Sequence, residues 1–165
     1  MNYDEALIRT DPSRLGTIKK GSTAESAAIE RFKDFFSVLS EQNVRAKVRQ
    51  VYAAEAYLND TLKEISGIDQ IEAYFLKSAR AVEECTVEML DVAESNGNYY
   101  FRWVMCIRFK KFKPNQVCCS RGMTHIRFNS SGQVVFHHDY WDAAGGLFEH
   151  IPVVGTVIRA IKARL

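Results

Sequence analysis

The chain of 165 residues is long enough to bury one core of its own, and its formal net charge of +2 is too small for the basic field that phosphate backbones require. Nucleic acid is therefore excluded as an expected partner. Met1 to Lys20 lacks the apolar stretch of a signal peptide, and no run nears the roughly 18 apolar residues of a membrane span, so a cytoplasmic domain without a transmembrane segment is expected.

Residues 1–22 show weak periodicity and read as a loose arm. Ser22-Thr23-Ala24-Glu25 reads as a capping box, opening a helix whose apolar face is Ile29, Phe32, Phe35, Phe36 and Leu39. Val44, Val48 and Val51 mark a short second helix, with Asn43 as its expected cap. Residues 54–62 read as a strand with Tyr57 and Asn59 on one face and Leu58 and Asp60 on the other. Gly67 precedes a third helix carrying Ile68, Ile71, Tyr74, Phe75, Ala79 and Val82. The period then changes to that of strands. Residues 86–93 and 99–112 flank Asn96-Gly97, a strong hairpin signal, and turns at Lys113-Pro114-Asn115 and 129–132 delimit strands at 117–128 and 134–142.

Helices first and a meander after them predict an α+β domain over residues 23–142. The tail, residues 143–165, places Leu147, Phe148, Ile151, Val154, Ile158, Ile161 and Leu165 at helical spacing, with Arg159, Lys162 and Arg164 near its end. Two readings stand: a helix packed across the sheet, or a basic amphipathic helix for peripheral contact with a membrane surface or a partner. Cys85, Cys106, Cys118 and Cys119 show no CxxC spacing, so neither a zinc site nor a disulfide framework is expected. Arg108, Lys110, Lys111 and Lys113, interleaved with Phe109 and Phe112, read as a solvated strand end.

This order of elements resembles the nuclear transport factor 2-like, or SnoaL-like, superfamily over residues 24–142. The segments that carry the resemblance are the last strand, Gly132-Gln-Val-Val-Phe-His-His-Asp139-Tyr140-Trp141-Asp142, and the strand at Tyr57 leading to Gly67-Ile68-Asp69. The resemblance implies a cone-shaped half-barrel: a curved, mainly antiparallel mixed sheet wrapped on three N-terminal helices around a small-molecule pocket. In its site the chain partly resembles limonene epoxide hydrolase, whose Tyr-x-Asn, Arg and final-strand Asp correspond to Tyr57-x-Asn59, Arg102 and Asp139. The position of that family's second aspartate is Val104, so its two-carboxylate mechanism is not expected here. The superfamily also implies a homodimer formed through the sheet.

Strand alternation decides which of these side chains meet. With Asp139 and Arg102 facing inward, as the resemblance implies, Tyr57 and Asn59 join them as candidate catalytic residues. His125, His137, Trp141, Met123, Val104 and Cys106 would line the same cavity. Asp139 is the candidate acid/base, with Arg102 either its partner or the other half of a structural ion pair. His137 and His138 are strand neighbours on opposite faces, and no carboxylate–His–His set has workable spacing, so neither metal nor cofactor is expected. Tyr99, Phe101, Trp103, Met105 and Ile107 form an apolar row that reads as a second buried surface, suited to dimerisation. Three functions remain open: a cofactor-independent lyase, isomerase or hydrolase on a small apolar molecule, a non-catalytic binding protein, or a dimeric scaffold.

Overall fold

The computed structural model describes residues 1–111 and 116–164. The turn expected at Lys113-Pro114-Asn115, with Phe112 and the tail's last residue Leu165, lies outside the described residues. The N-terminal segment is not a loose arm. Asn2 accepts the Glu5 N–H while Glu5 accepts the Asn2 N–H, a complete capping box that starts α1 (Tyr3–Arg9). Asp11 and Pro12 then start a single turn, α2 (Pro12–Leu15). Ala6 is fully buried against Tyr57 and Phe136, and Arg127 donates to the Leu7 carbonyl at 2.7 Å. Packing, rather than periodicity, orders this segment.

Ser22 caps α3 (Thr23–Ser37) by accepting the Glu25 N–H. Glu25 reaches past the expected box: one carboxylate oxygen accepts the Gly21 N–H, and the other accepts the hydroxyl of Tyr99 in the sheet at 2.7 Å. The next helix, α4 (Glu41–Val51), is capped by Ser40 and not by Asn43. The Asn43 amide instead donates to the Phe35 and Val38 carbonyls, closing the end of α3. β1 (Tyr52–Asn59) and the short β2 (Glu64–Ser66), which has no signal in the sequence, lead to α5 (Ile68–Ala81). Gly67 takes φ 89° before α5, a left-handed conformation that favours glycine.

The meander follows as β3 (Val82–Ser95), β4 (Asn98–Phe109), β5 (Val117–Phe128) and β6 (Val134–Trp141). Asn96 and Gly97 both take positive φ, as a two-residue turn matching the strand twist requires. The open six-stranded sheet runs β2-β1-β6-β5-β4-β3, with β1 and β6 parallel and every other pair antiparallel. Helices α3, α4 and α5 lie on its inner face. Phe32, Phe35, Val44, Val48, Ile71 and Phe75 pack there on Leu58, Phe101, Ile126 and Phe128. Helix α1 covers the outer face near β1 and β6.

The tail is not one helix. It breaks into α6 (Ala143–Gly146), a 3-10 turn (Phe148–His150) and α7 (Val154–Lys162), with Pro152 between the last two. A Cβ at Gly155 would lie 2.1 Å from the Glu149 carbonyl oxygen, so α7 sits closely against the 3-10 turn. Val153, Val157 and Ile161 are exposed. No described helix is long and apolar enough to cross a membrane.

Candidate functional site

Register places the site. Thr124 on β5 lies opposite Asp139 on β6, Phe101 on β4 lies opposite Thr124, and Trp103 lies opposite Gly122. Directly paired residues of an antiparallel ladder share a face. The inner face is therefore that of Asp139, Thr124, Phe101 and Trp103. It bounds, with α3 and α5, a cavity of about 240 Å³.

Three of the residues expected there line it: Asp139, His137 and Trp141. Seven do not. Arg102 faces outward, where its Nε donates to Asp91 Oδ2 at 3.0 Å, and its side chain is 62% exposed. Val104 and Met123 share that outer face, Val104 opposite Arg121 and Met123 opposite Tyr140. Cys106 is there too and forms a disulfide with Cys119, directly across from it, a single bond that the expectation of no disulfide framework did not foresee. Pairing across two neighbouring strands leaves no signal in sequence spacing. His125 stacks on Tyr100 on the outer face, with Nε2 2.8 Å from Asn98 Oδ1. Burial and the nearby Arg127 cation push its pKa down to about 4. Tyr57 donates to Glu64 at 3.0 Å, and Asn59 donates to the Tyr57 hydroxyl at 3.3 Å, both on the side away from the cavity. Burial pushes the Tyr57 hydroxyl up to about 12.

The same reversal removes the argument for a dimer face on β4. Phe101, Trp103, Met105 and Ile107 point into the core and the cavity. Burying that row is worth far more than burying Arg102 and Arg108, which agrees with the face that the register turns inward.

Asp139 sits at the centre of a hydrogen-bonded chain. The Trp103 indole can only donate, and it does so to Thr124 Oγ1 at 2.7 Å. Thr124 must then spend its own proton on Asp139 Oδ1. His137 Nε2 lies 2.9 Å from the same oxygen, and the Tyr52 hydroxyl lies 2.6 Å from His137 Nδ1. With Asp139 as the carboxylate, one assignment satisfies every group: Tyr52 donates to Nδ1, and Nε2–H donates to Asp139. Burial raises the Tyr52 pKa well above its ordinary value, so its proton stays in place. Among the described residues, Asp139 Oδ2 accepts no hydrogen bond.

The structure adds polar lining residues that sequence alone did not single out. Asp60, just past β1, accepts the Leu62 and Lys63 amides on Oδ1 and the Tyr74 hydroxyl on Oδ2. The Trp141 indole donates to its carbonyl at 2.9 Å. The cavity thus holds a second carboxylate, drawn from the residue after β1 and not from the Val104 position. Strand parity already placed Asp60 with Leu58, so the signal was present once the inner face of β1 was known. Cys85 also lines the cavity, but burial pushes its thiol up to about 12, which makes it a poor nucleophile. Among the described residues, no group of three or more His, Cys, Asp or Glu is arranged to hold a metal ion.

An open mixed sheet wrapped on three helices, with a carboxylate held inside its apolar cavity, defines the cone-shaped α+β class. Residues 32–137 match the model of the SnoaL-like domain, and the chain belongs to that family. No curated protein matches it in sequence. Among solved structures, an NTF2-like protein of unknown function from Exiguobacterium sp. 255-15 is 18% identical, with a TM-score of 0.59 over 70% of this chain and 98% of that one. An LEH-like epoxide hydrolase of M. tuberculosis is 11% identical, with a TM-score of 0.62 over 86% and 98%. A protein of ketosteroid isomerase-like fold from Catenulispora acidiphila DSM 44928, in complex with trimethylamine, is 12% identical, with a TM-score of 0.62 over 73% and 88%. At such identities the likeness is one of fold.

Proposed function

We propose that the cavity takes a small, mostly apolar molecule and that Asp139 moves a proton on it without a cofactor, as in an isomerase, lyase or hydrolase. The observation that carries this reading is the half-engaged carboxylate. Oδ1 is held by Thr124 and His137, while Oδ2 is left for a ligand in an apolar cavity. Fixing one oxygen orients the other, which is the geometry a general base needs. Oδ2 takes a proton from an acidic C–H or from water and returns it to another atom of the substrate. His137 and Tyr52 hold Asp139 in place through the step and do not touch the substrate in this scheme.

Native mass spectrometry of the protein as purified, followed by extraction and identification of the bound molecule, names the ligand. That ligand is then incubated in deuterium oxide with wild type and Asp139→Asn. Deuterium entering a carbon position, or solvent oxygen entering a product, with wild type alone supports proton transfer by Asp139. Equal retention of the ligand by both proteins, with no exchange and no product, refutes it in favour of a binding protein. The binding reading has one observation of its own: Tyr74 is already committed to Asp60, and Arg102 is outside, so among the described residues no free cation or phenol lines the cavity to stabilise an oxyanion. We also propose that two copies pair through the outer sheet face, where Met123 and Tyr140 lie opposite each other and exposed. A monomeric mass by light scattering refutes this.

A further inference from the structure

The charge of the cavity is one-sided. Asp60 and Asp139 line it, and no Lys or Arg does among the described residues. The cation expected to balance Asp139, Arg102, is spent on Asp91 on the opposite side of the sheet. Both acids are met by donors: Asp60 by two backbone amides and a phenol, Asp139 by a hydroxyl and an imidazole N–H. Hydrogen bonds accepted from donors favour the ionised form of each acid. The two belong to one end of the cavity: β1 and β6 run parallel with Asn59 opposite His138, Asp60 and Asp139 are the next residues, and the Trp141 indole donates to the Asp60 carbonyl.

A carboxylate in an apolar enclosure without a cation is costly, and the cost is relieved by whatever brings a positive charge. The remaining walls suit such a guest. Trp103, Trp141, Tyr74 and Phe75 line the cavity, and aromatic faces attract cations. An anionic ligand would add a third negative charge to this end. A neutral ligand would leave the pole uncompensated.

We propose that the ligand is a small lipophilic amine, bound as its ammonium ion with an N–H directed to Asp139 Oδ2 and its carbon skeleton against the aromatic and methionine walls. This rests on the reading above that the cavity holds a small molecule and names its class; with Oδ2 engaged by the ammonium, it goes with the binding reading and not with proton transfer by Asp139. Asp60 contributes charge without direct engagement, because both of its oxygens already accept hydrogen bonds.

The test is a matched series with one skeleton and three head groups: cyclohexylmethylamine, cyclohexylmethanol and cyclohexanecarboxylate. Each is titrated calorimetrically into the full chain at neutral pH. The amine is expected to bind at least about tenfold tighter than the alcohol, because a charge-assisted hydrogen bond and cation–π attraction together exceed the alcohol's neutral hydrogen bond, and the carboxylate is expected not to bind. Asp60→Asn should reduce the amine's advantage and leave the alcohol unchanged. Should that variant not fold, the wild-type series decides alone. Equal affinity for amine and alcohol, or any preference for the carboxylate, overturns the amine assignment while leaving the cavity as a small-molecule site. Failure of all three to bind overturns both.

Discussion

His125 is a neutral structural residue, and its acid titration provides a direct check. Its Nε2 donates to Asn98 Oδ1, which also accepts Arg127 Nε at 2.7 Å, so a proton added to the ring would face a neighbouring guanidinium in a buried position. Burial, with Arg127 second, pushes its pKa from 6.5 to about 4. Between these values the unfolded chain binds a proton that the folded chain refuses, so stability rises with pH across the window. The contribution is complete above about 6.5 and is lost as pH falls through about 4. At 1.36 kcal/mol per pH unit the full effect is about 3 kcal/mol, of which about 2 kcal/mol appears between pH 7 and pH 4.5. Other groups titrate in the same range, including His138, whose pKa burial also lowers, so the comparison must be with a variant. Urea unfolding of wild type and His125→Gln at both pH values isolates the residue. The variant, which can still donate to Asn98, should lose about 2 kcal/mol less on acidification. An equal loss in both proteins, or an imidazole titration near 6.5 by NMR, refutes the burial argument and would return His125 to consideration as an acid or base.

Gly122→Ala would put a Cβ 2.4 Å from the Trp103 ring and 2.8 Å from the Trp141 Cβ. It should cost about 1–3 kcal/mol by urea unfolding and weaken ligand binding by displacing Trp103 from Thr124; a variant with unchanged affinity would disconnect that chain from the site. Arg102→Ala, by contrast, removes only an exposed partner of Asp91 and should leave ligand affinity within about twofold; a large loss would put Arg102 in the cavity after all. Arg127→Ala removes the bonds to Leu7, Thr10 and Asn98 and should cost about 2–3 kcal/mol while making α1 sensitive to protease. Protection of α1 equal to wild type would show that Ala6, Tyr57 and Phe136 hold it unaided.

Much of the molecule was legible along the chain because it depends on near neighbours. The period of Phe32, Phe35, Val44, Val48, Ile71 and Phe75 marks three half-buried helices, and these side chains form the core. Asn96-Gly97 announces its turn because few other pairs tolerate two positive φ angles. The alternation of every strand was also readable: Arg102 stands against Trp103, Met123 against Thr124, Tyr57 against Leu58, and Asp139 against Tyr140. Asp139, His137 and Trp141 were correctly grouped on one face of the last strand.

Which face of each strand turns inward was not readable strand by strand. Alternation has period two, so a pattern and its reversal differ only in what lies opposite, and that is set by the pairing of Thr124 with Asp139 and of Gly122 with Trp103 and Trp141. With Asp139 inside, this register sends Arg102, Val104, Cys106, Met123 and His125 out and brings in Trp103 and Thr124. The N-terminal helix α1 is likewise a tertiary outcome, since Ala6 and Leu7 are buried or bonded only because Phe136 and Arg127 are there to meet them. Sequence alone determined the three packing helices, the meander strands and the apolar positions of their core, and it placed Asp139, His137 and Trp141 on one strand face. Long-range register determined the companions of Asp139, because hydrogen-bond pairing between strands distant in the chain leaves no mark on the spacing within either one.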